Sequence, residues 1–293
     1  MMDDRHTISA GGISATIKAE GAELCSLTTA GGLELLWQAG PEWPRHSPWL
    51  FPIVGRLKND QLRHRGKTYP LTQHGFARDL RFAWLERTTR SCTLQLTDSE
   101  ATRARYPFAF RLTIAFRVDA ASLEAKIEIE NPGEEVLPAS FGAHPAFNWP
   151  LAPGASKQES VLIFTENETA PIRRLSGGLM RPEGERSPIQ GTRLTLSERL
   201  FDQDAIILDA PRSTAVSYIG PGGPGLTVGW DGFRELGIWS KPSGAPFLCI
   251  EPWRGYASPL EFDGEFIDKP GLMHIAPGAA ETLMLRIKAH EAI

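Results

Sequence analysis

Hydrophobic and polar residues alternate along much of the chain. In LEAKIEIEN, Leu123, Ala125, Ile127 and Ile129 fall on one side, with Glu124, Lys126, Glu128 and Glu130 on the other. The preceding FRLTIAFRV alternates in the same way through Leu112, Ile114, Phe116 and Val118. A side-chain period of two belongs to a strand with one buried face, and Asn131-Pro132-Gly133 marks the turn that follows. The N-terminal region repeats the theme in ISATIKA and GAELCSLTTAGGLELLW, short strand-like runs punctuated by glycine pairs. Helical spacing is scarce. SEATRARY (99–106) and SERLFDQD (197–204) are the best candidates, each opening on a serine suited to an N-cap. Many strands with Gly/Pro turns and few helices predict an all-β fold, a large antiparallel β-sandwich.

The 293 residues allow two average domains or one large all-β domain. No linker divides the chain, because the Gly/Pro-rich IGPGGPGL (219–226) is short and closely bracketed by strand-like sequence. One domain over 1–293 is expected. A formal charge of −4 gives no field to attract nucleic acid or an acidic membrane. No apolar run approaches the roughly 20 residues of a membrane-spanning helix, and MMDDRHTISA is unlike a secretory signal. Cys25, Cys92 and Cys249 are widely spaced and odd in number, which predicts reduced core residues in a cytoplasmic protein.

Several motif-like stretches fail on inspection. Gly66-Lys67-Thr68 resembles a phosphate-binding loop, but Gln61 occupies the position of the required earlier glycine, and its flanks read as a hairpin. The seven histidines show no close metal-binding spacing, and there is no Cys-x-x-Cys or Gly-x-Ser-x-Gly. No metal is expected.

Polar side chains next to apolar runs carry the chemical signal. Glu251 in LCIEPWRGY ends a short apolar strand, where a carboxylate must be paired, hydrogen-bonded or facing a pocket. An ion pair with Arg254 is the structural alternative. His144 in SFGAHPAFNWPL follows a buried-looking run, with Gly142 and Pro145 controlling the backbone and Phe147 and Trp149 as candidate pocket walls. In QHGFARD, His74 is either structural or functional, and Arg78 pairs with Asp79, with Asp98 or with a ligand. Arg56 emerges from WLFPIVGRLKND, as a surface cation or a ligand contact. Asp204 in FDQDAIIL is a turn residue or a pocket residue. Together with Trp49, Trp149, Trp230, Trp239 and Trp253, these groups match a small-molecule pocket with aromatic walls and a few polar groups. A sugar suits that lining, its hydroxyls needing Arg, Asp and His partners and its C–H face an aromatic ring.

FPIVGRL, HGFARD, FGAHPAF, DAIIL and IEPWRG occur in the order found in the aldose 1-epimerase (galactose mutarotase-like) family, which the chain resembles over nearly its whole length. Within that family it looks closest to the bacterial branch associated with lactose operons. The resemblance implies a galactose mutarotase-type β-sandwich, no cofactor, and a monomer or homodimer acting on a small-molecule sugar or sugar phosphate. It maps the catalytic acid onto His144 and the base onto Glu251, with His74, Arg78, Asp204 and Trp253 around the substrate. Asp202 and Asp209 compete with Asp204 for its place. The early loop departs from true galactose mutarotases, which carry Asn-x-x-x-Gly-Gly there. Gly55-Arg56 and His74-Gly75-Phe76-Ala77-Arg78 resemble hexose-6-phosphate 1-epimerases instead, in which Arg56 and Arg78 would bind phosphate. The alternatives are therefore a hexose-6-phosphate 1-epimerase, or a non-catalytic sugar-binding protein on the same fold. A glycosidase using Glu251 and Asp204 is a further reading.

Overall fold

The computed structural model describes residues 4–222, 225–242 and 244–290. The molecule is 46% strand and 6% helix, which settles the all-β class. Nine strands form the larger sheet, in the order Arg193–Thr195, Val161–Phe164, Ala215–Ile219, Gly225–Asp231, Ala280–His290, Ser122–Glu130, Arg111–Asp119, Ser91–Thr97, Ala83–Arg87. A second sheet runs Ile206–Leu208, Glu235–Trp239, Phe247–Arg254, Phe141–Ala143, Trp49–Leu50, with Ala146–Asn148 added beside Phe247–Arg254. The strand pairs of both sheets are antiparallel.

The alternation seen in the sequence becomes a buried face and an open face. Leu112, Ile114, Phe116 and Val118 are buried, and so are Leu123, Ala125, Ile127 and Ile129 on the neighbouring strand. One apolar cluster extends from Ile8 to Ala289 and joins the two sheets. Within it Trp49 of the second sheet meets Phe116 of the first, with ring centres 6.1 Å apart. The Tyr218 hydroxyl crosses the same interface to donate to the Asn148 carbonyl at 3.1 Å.

The two helical segments differ in quality. Glu100–Arg103 is an α-helix whose Ser99 forms a capping box with Thr102. Glu198–Phe201 is a 3-10 helix to which Ser197 gives no side-chain cap. Gln61–His64 and Lys67–Pro70 pair as a hairpin around Arg65-Gly66, so Gly66-Lys67-Thr68 runs from a turn into a strand and is no phosphate-binding loop. The IGPGGPGL segment joins the paired strands Ala215–Ile219 and Gly225–Asp231, its Gly223 and Pro224 lying outside the described residues. Cys25, Cys92 and Cys249 are free and buried. No helix among the described residues is long and apolar enough to cross a membrane.

Candidate active site

The second sheet carries the site. Along Phe247–Arg254, alternation places Cys249, Glu251 and Trp253 on one face and turns Arg254 to the other. Glu251 and Arg254, three residues apart on a strand, therefore point to opposite faces, and the charges near Arg254 are those of Arg234, Glu235 and Glu281. The Glu251 carboxylate contacts His144 instead, with Oε2 3.2 Å from Nε2. His144 directly follows the strand Phe141–Ala143, and its backbone N–H donates to the Pro48 carbonyl at 3.1 Å. Trp43 stacks on the imidazole (4.9 Å, 26°) while Trp239 meets it edge-on (5.8 Å, 83°).

The pair faces a cavity of about 310 Å³, whose wall also includes His74, Arg78, Asp204 and Trp253. Small residues make room for the Trp253 indole. A side chain at Gly142 would put its Cβ 2.8 Å from the indole Cδ1, and one at Gly237 would run into the six-membered ring. The apolar part of the wall comes from Val54, Leu175, Ala205, Ile207 and Ala257.

Burial dominates the electrostatics. It pushes His144 down from 6.5 to about 3, with the positive charges of Arg78 and Arg45 acting in the same direction. It also holds the Glu251 carboxyl well above 4.5; the nearby Asp204 charge adds to the rise and the Trp253 indole N–H opposes it. Both shifts favour the uncharged pair, a protonated glutamate beside a neutral histidine. Proton transfer across the 3.2 Å contact converts it to the charged pair.

Two polar wall residues adopt left-handed backbone, His74 at φ 66° and Asp204 at φ 69°. Positive φ is uncommon outside glycine and clusters at functional sites. Local hydrogen bonds hold each one. The Gly55 N–H donates to His74 Nδ1 at 3.1 Å, and the His74 N–H returns a bond to the Gly55 carbonyl at 2.8 Å. With Nδ1 accepting, a neutral His74 carries its proton on Nε2, which lies 3.3 Å from the Gln73 side-chain amide. Burial and the neighbouring His144, Arg78 and Arg45 hold its pKa well below 6.5, so the ring is neutral. Asp204 Oδ1 accepts from the Ala205 N–H at 2.8 Å.

A profile of the aldose 1-epimerase family matches residues 4–272. The chain belongs to the aldose 1-epimerase family. It is 33% identical to the protein LacX of Lactococcus lactis over 277 residues, which cover 90% of this chain and 92% of LacX. The fold matches a galactose mutarotase related enzyme from Lactobacillus acidophilus with a TM-score of 0.91 and 33% identity, over 98% of each chain. A galactose mutarotase-like protein from Lactobacillus casei matches with the same TM-score, 0.91, at 29% identity, over 98% of this chain and 100% of that one.

Against this aldose 1-epimerase frame, six of the seven residues singled out in the sequence line one cavity: His74, Arg78, His144, Asp204, Glu251 and Trp253. Asp204 is the aspartate of its segment that reaches the wall, whereas Asp209 pairs with Arg173 at 3.3 Å. Arg56 is not brought to the cavity. Its guanidinium grips Asp60 four residues on, with bonds of 2.7 and 2.6 Å, and only the preceding Gly55 lines the wall. Phe147 and Trp149 are not pocket walls either; both are buried in the main apolar cluster, as is Trp49. Trp43 and Gln73 do line the cavity and were missed in the sequence. Trp43 lies in the proline-flanked PEWPRHSP, whose lack of periodicity hides its role.

Proposed function

We propose that the chain interconverts the α and β anomers of an aldose, with His144 and Glu251 as its proton carriers. One observation carries this reading: a histidine and a glutamate in contact at 3.2 Å, both buried and both facing the same cavity. Sugar binding alone needs no such matched pair. The family membership and the likeness to a galactose mutarotase related enzyme support the same conclusion.

In the charged form of the pair, Glu251 takes the proton from the C1 hydroxyl while His144 gives its proton to the ring oxygen. The C1–O5 bond breaks, leaving the aldehyde at C1 and a hydroxyl at C5. Rotation about C1–C2 exposes the other face, and closure returns both protons. Ring opening thus ends in the uncharged pair, which the desolvated site favours, so the same burial that shifts both pKa values stabilises the open-chain stage. Each positioned proton carrier typically contributes on the order of 10²–10⁴ in rate. His74, Arg78 and Asp204 hold hydroxyls and keep the sugar aligned while the ring is open.

The cavity sits near the low end of the roughly 300–1,000 Å³ typical of small-molecule sites, which suits a monosaccharide. A phosphorylated sugar would meet Arg78 but not a second fork from Arg56, whose guanidinium is committed to Asp60. Saturation-transfer NMR of glucose, galactose and their 6-phosphates tests the activity. Accelerated exchange of one or more aldoses supports the reading. Saturable binding without exchange across a broad panel would make the protein a sugar binder.

A further inference from the structure

Cys249 has no place in the proton relay, yet it belongs to the same constellation. It precedes Glu251 by two residues on one strand face and is paired in register with Trp239. One donor atom from each of His144, Cys249 and Glu251 lies within 4.8 Å of the others, and all three residues are buried. No other trio of His, Cys, Asp or Glu donors is so gathered among the described residues.

We propose that His144, Cys249 and Glu251 form a binding site for a thiophilic divalent cation such as zinc, cadmium or cobalt. Tetrahedral zinc holds nitrogen and oxygen at about 2.0–2.2 Å and sulfur at about 2.3 Å, which sets two light donors about 3.3 Å apart and sulfur about 3.5 Å from each. The imidazole and carboxylate already stand at 3.2 Å. With every donor separation within 4.8 Å, the sulfur has to close by at most about 1.3 Å.

The donor chemistry selects the metal. Thiolate and imidazole prefer zinc-like ions, whereas magnesium and calcium prefer all-oxygen sites. Two anionic ligands and one neutral ligand cancel the charge of the ion, which favours a buried position. Binding releases the thiol proton and the proton shared by the pair. Three protein ligands leave the fourth position to water or to a sugar hydroxyl on the cavity side. Cys249 itself belongs to a small apolar cluster with Ala146, Ala245 and Phe247, against which the partly buried Trp37, Trp43 and Trp239 pack. His144 is distant in sequence from Cys249 and Glu251, which is why spacing alone reveals no metal motif.

One consequence rests on the function proposed above. A cation held by His144 and Glu251 removes both proton carriers, so the ion inhibits anomer exchange. The binding itself is independent of that reading and is tested without an activity assay. The full chain is titrated with Co²⁺ and followed by absorption. The expected result is one equivalent bound, with a sulfur-to-cobalt charge-transfer band and the visible bands of a four-coordinate ion. Cys249→Ser should abolish the charge-transfer band and weaken binding at least ten-fold, and Glu251→Gln should weaken binding with the band retained at saturation. Circular dichroism melts establish that each variant is folded. Zn²⁺ should displace Co²⁺, and excess Mg²⁺ should not. Absence of the band in the wild type would overturn the proposal. So would a band that survives in Cys249→Ser, since the ion would then sit at Cys25 or Cys92.

Discussion

His144 Nε2 lies 3.2 Å from Glu251 Oε2, and both side chains are almost wholly removed from water. The contact joins the end of one strand to the middle of its antiparallel neighbour. Proton transfer across it converts an uncharged pair into a charged one at no change in net charge. The two residues therefore titrate and react as one unit.

That coupling gives the first prediction. His144→Asn and Glu251→Gln should each reduce anomer exchange by about 10²–10⁴-fold. The double variant should be little worse than the poorer single variant, because residues that act together are not additive. Exchange rates of the three variants, measured on one sugar, check this. Losses that multiply fully would mean the two side chains act independently.

Gly142 and Gly237 make room for Trp253. Gly142→Ala places a methyl group 2.8 Å from the indole, 3.0 Å from Leu50 and 3.1 Å from Val54. Overpacking of this kind typically costs about 1–3 kcal/mol, and the displaced indole should raise KM more than it lowers kcat. Urea unfolding together with steady-state kinetics reads both effects.

The arginines separate cleanly. Arg78 lines the cavity, its Nη2 donating to the Gln73 carbonyl at 2.9 Å and its Nε 3.8 Å from Asp79, while Arg56 is half-exposed and paired with Asp60. Arg78→Ala should raise KM at least ten-fold for the preferred sugar. Arg56→Ala should leave KM within two-fold and the unfolding midpoint nearly unchanged, because an exposed ion pair adds little to stability. Selective loss of a 6-phosphate substrate in Arg56→Ala would show instead that Arg56 swings into the site.

A buried carboxyl away from the cavity predicts a pH effect on stability. Burial raises Glu235 from 4.5 to about 7, although its carboxylate accepts from the Gly255 N–H at 2.7 Å. Between those two values the folded chain holds a proton that the unfolded chain has released. Stability from this group is thus complete below the unfolded pKa and is lost as pH rises through about 7, a change on the order of 3 kcal/mol. Lys269, buried and pushed down to about 7, acts in the opposite direction: its contribution is lost as pH falls from 10.5 toward that value. Glu235→Gln should flatten the fall in stability between pH 5 and pH 7, measured by chemical unfolding at each pH. An unchanged slope would contradict the assignment.

The fold was legible because alternation in stretches such as LEAKIEIEN records which face of a strand meets the core. His144 and Glu251 were legible through their positions beside apolar runs, where a polar group needs a reason. Arg56 stood out for the same reason and was misplaced, because the sequence shows a cation near a pocket loop but not that Asp60, four residues on, reaches it first. Trp43 escaped because its partners, His144 and Trp239, are distant in sequence. The tryptophans were read as one set, yet Trp49 and Trp149 serve the core while Trp239 and Trp253 serve the cavity. Local pattern gives burial of a face. It does not say which buried side chains border a void.

The most direct test measures anomer exchange by saturation-transfer NMR for the wild type and for Glu251→Gln, with sugar binding followed by calorimetry on the same samples. The account predicts rapid exchange of one or more aldoses by the wild type, and a loss of about 100-fold or more in a variant that still binds the sugar. Undiminished exchange by Glu251→Gln would contradict it.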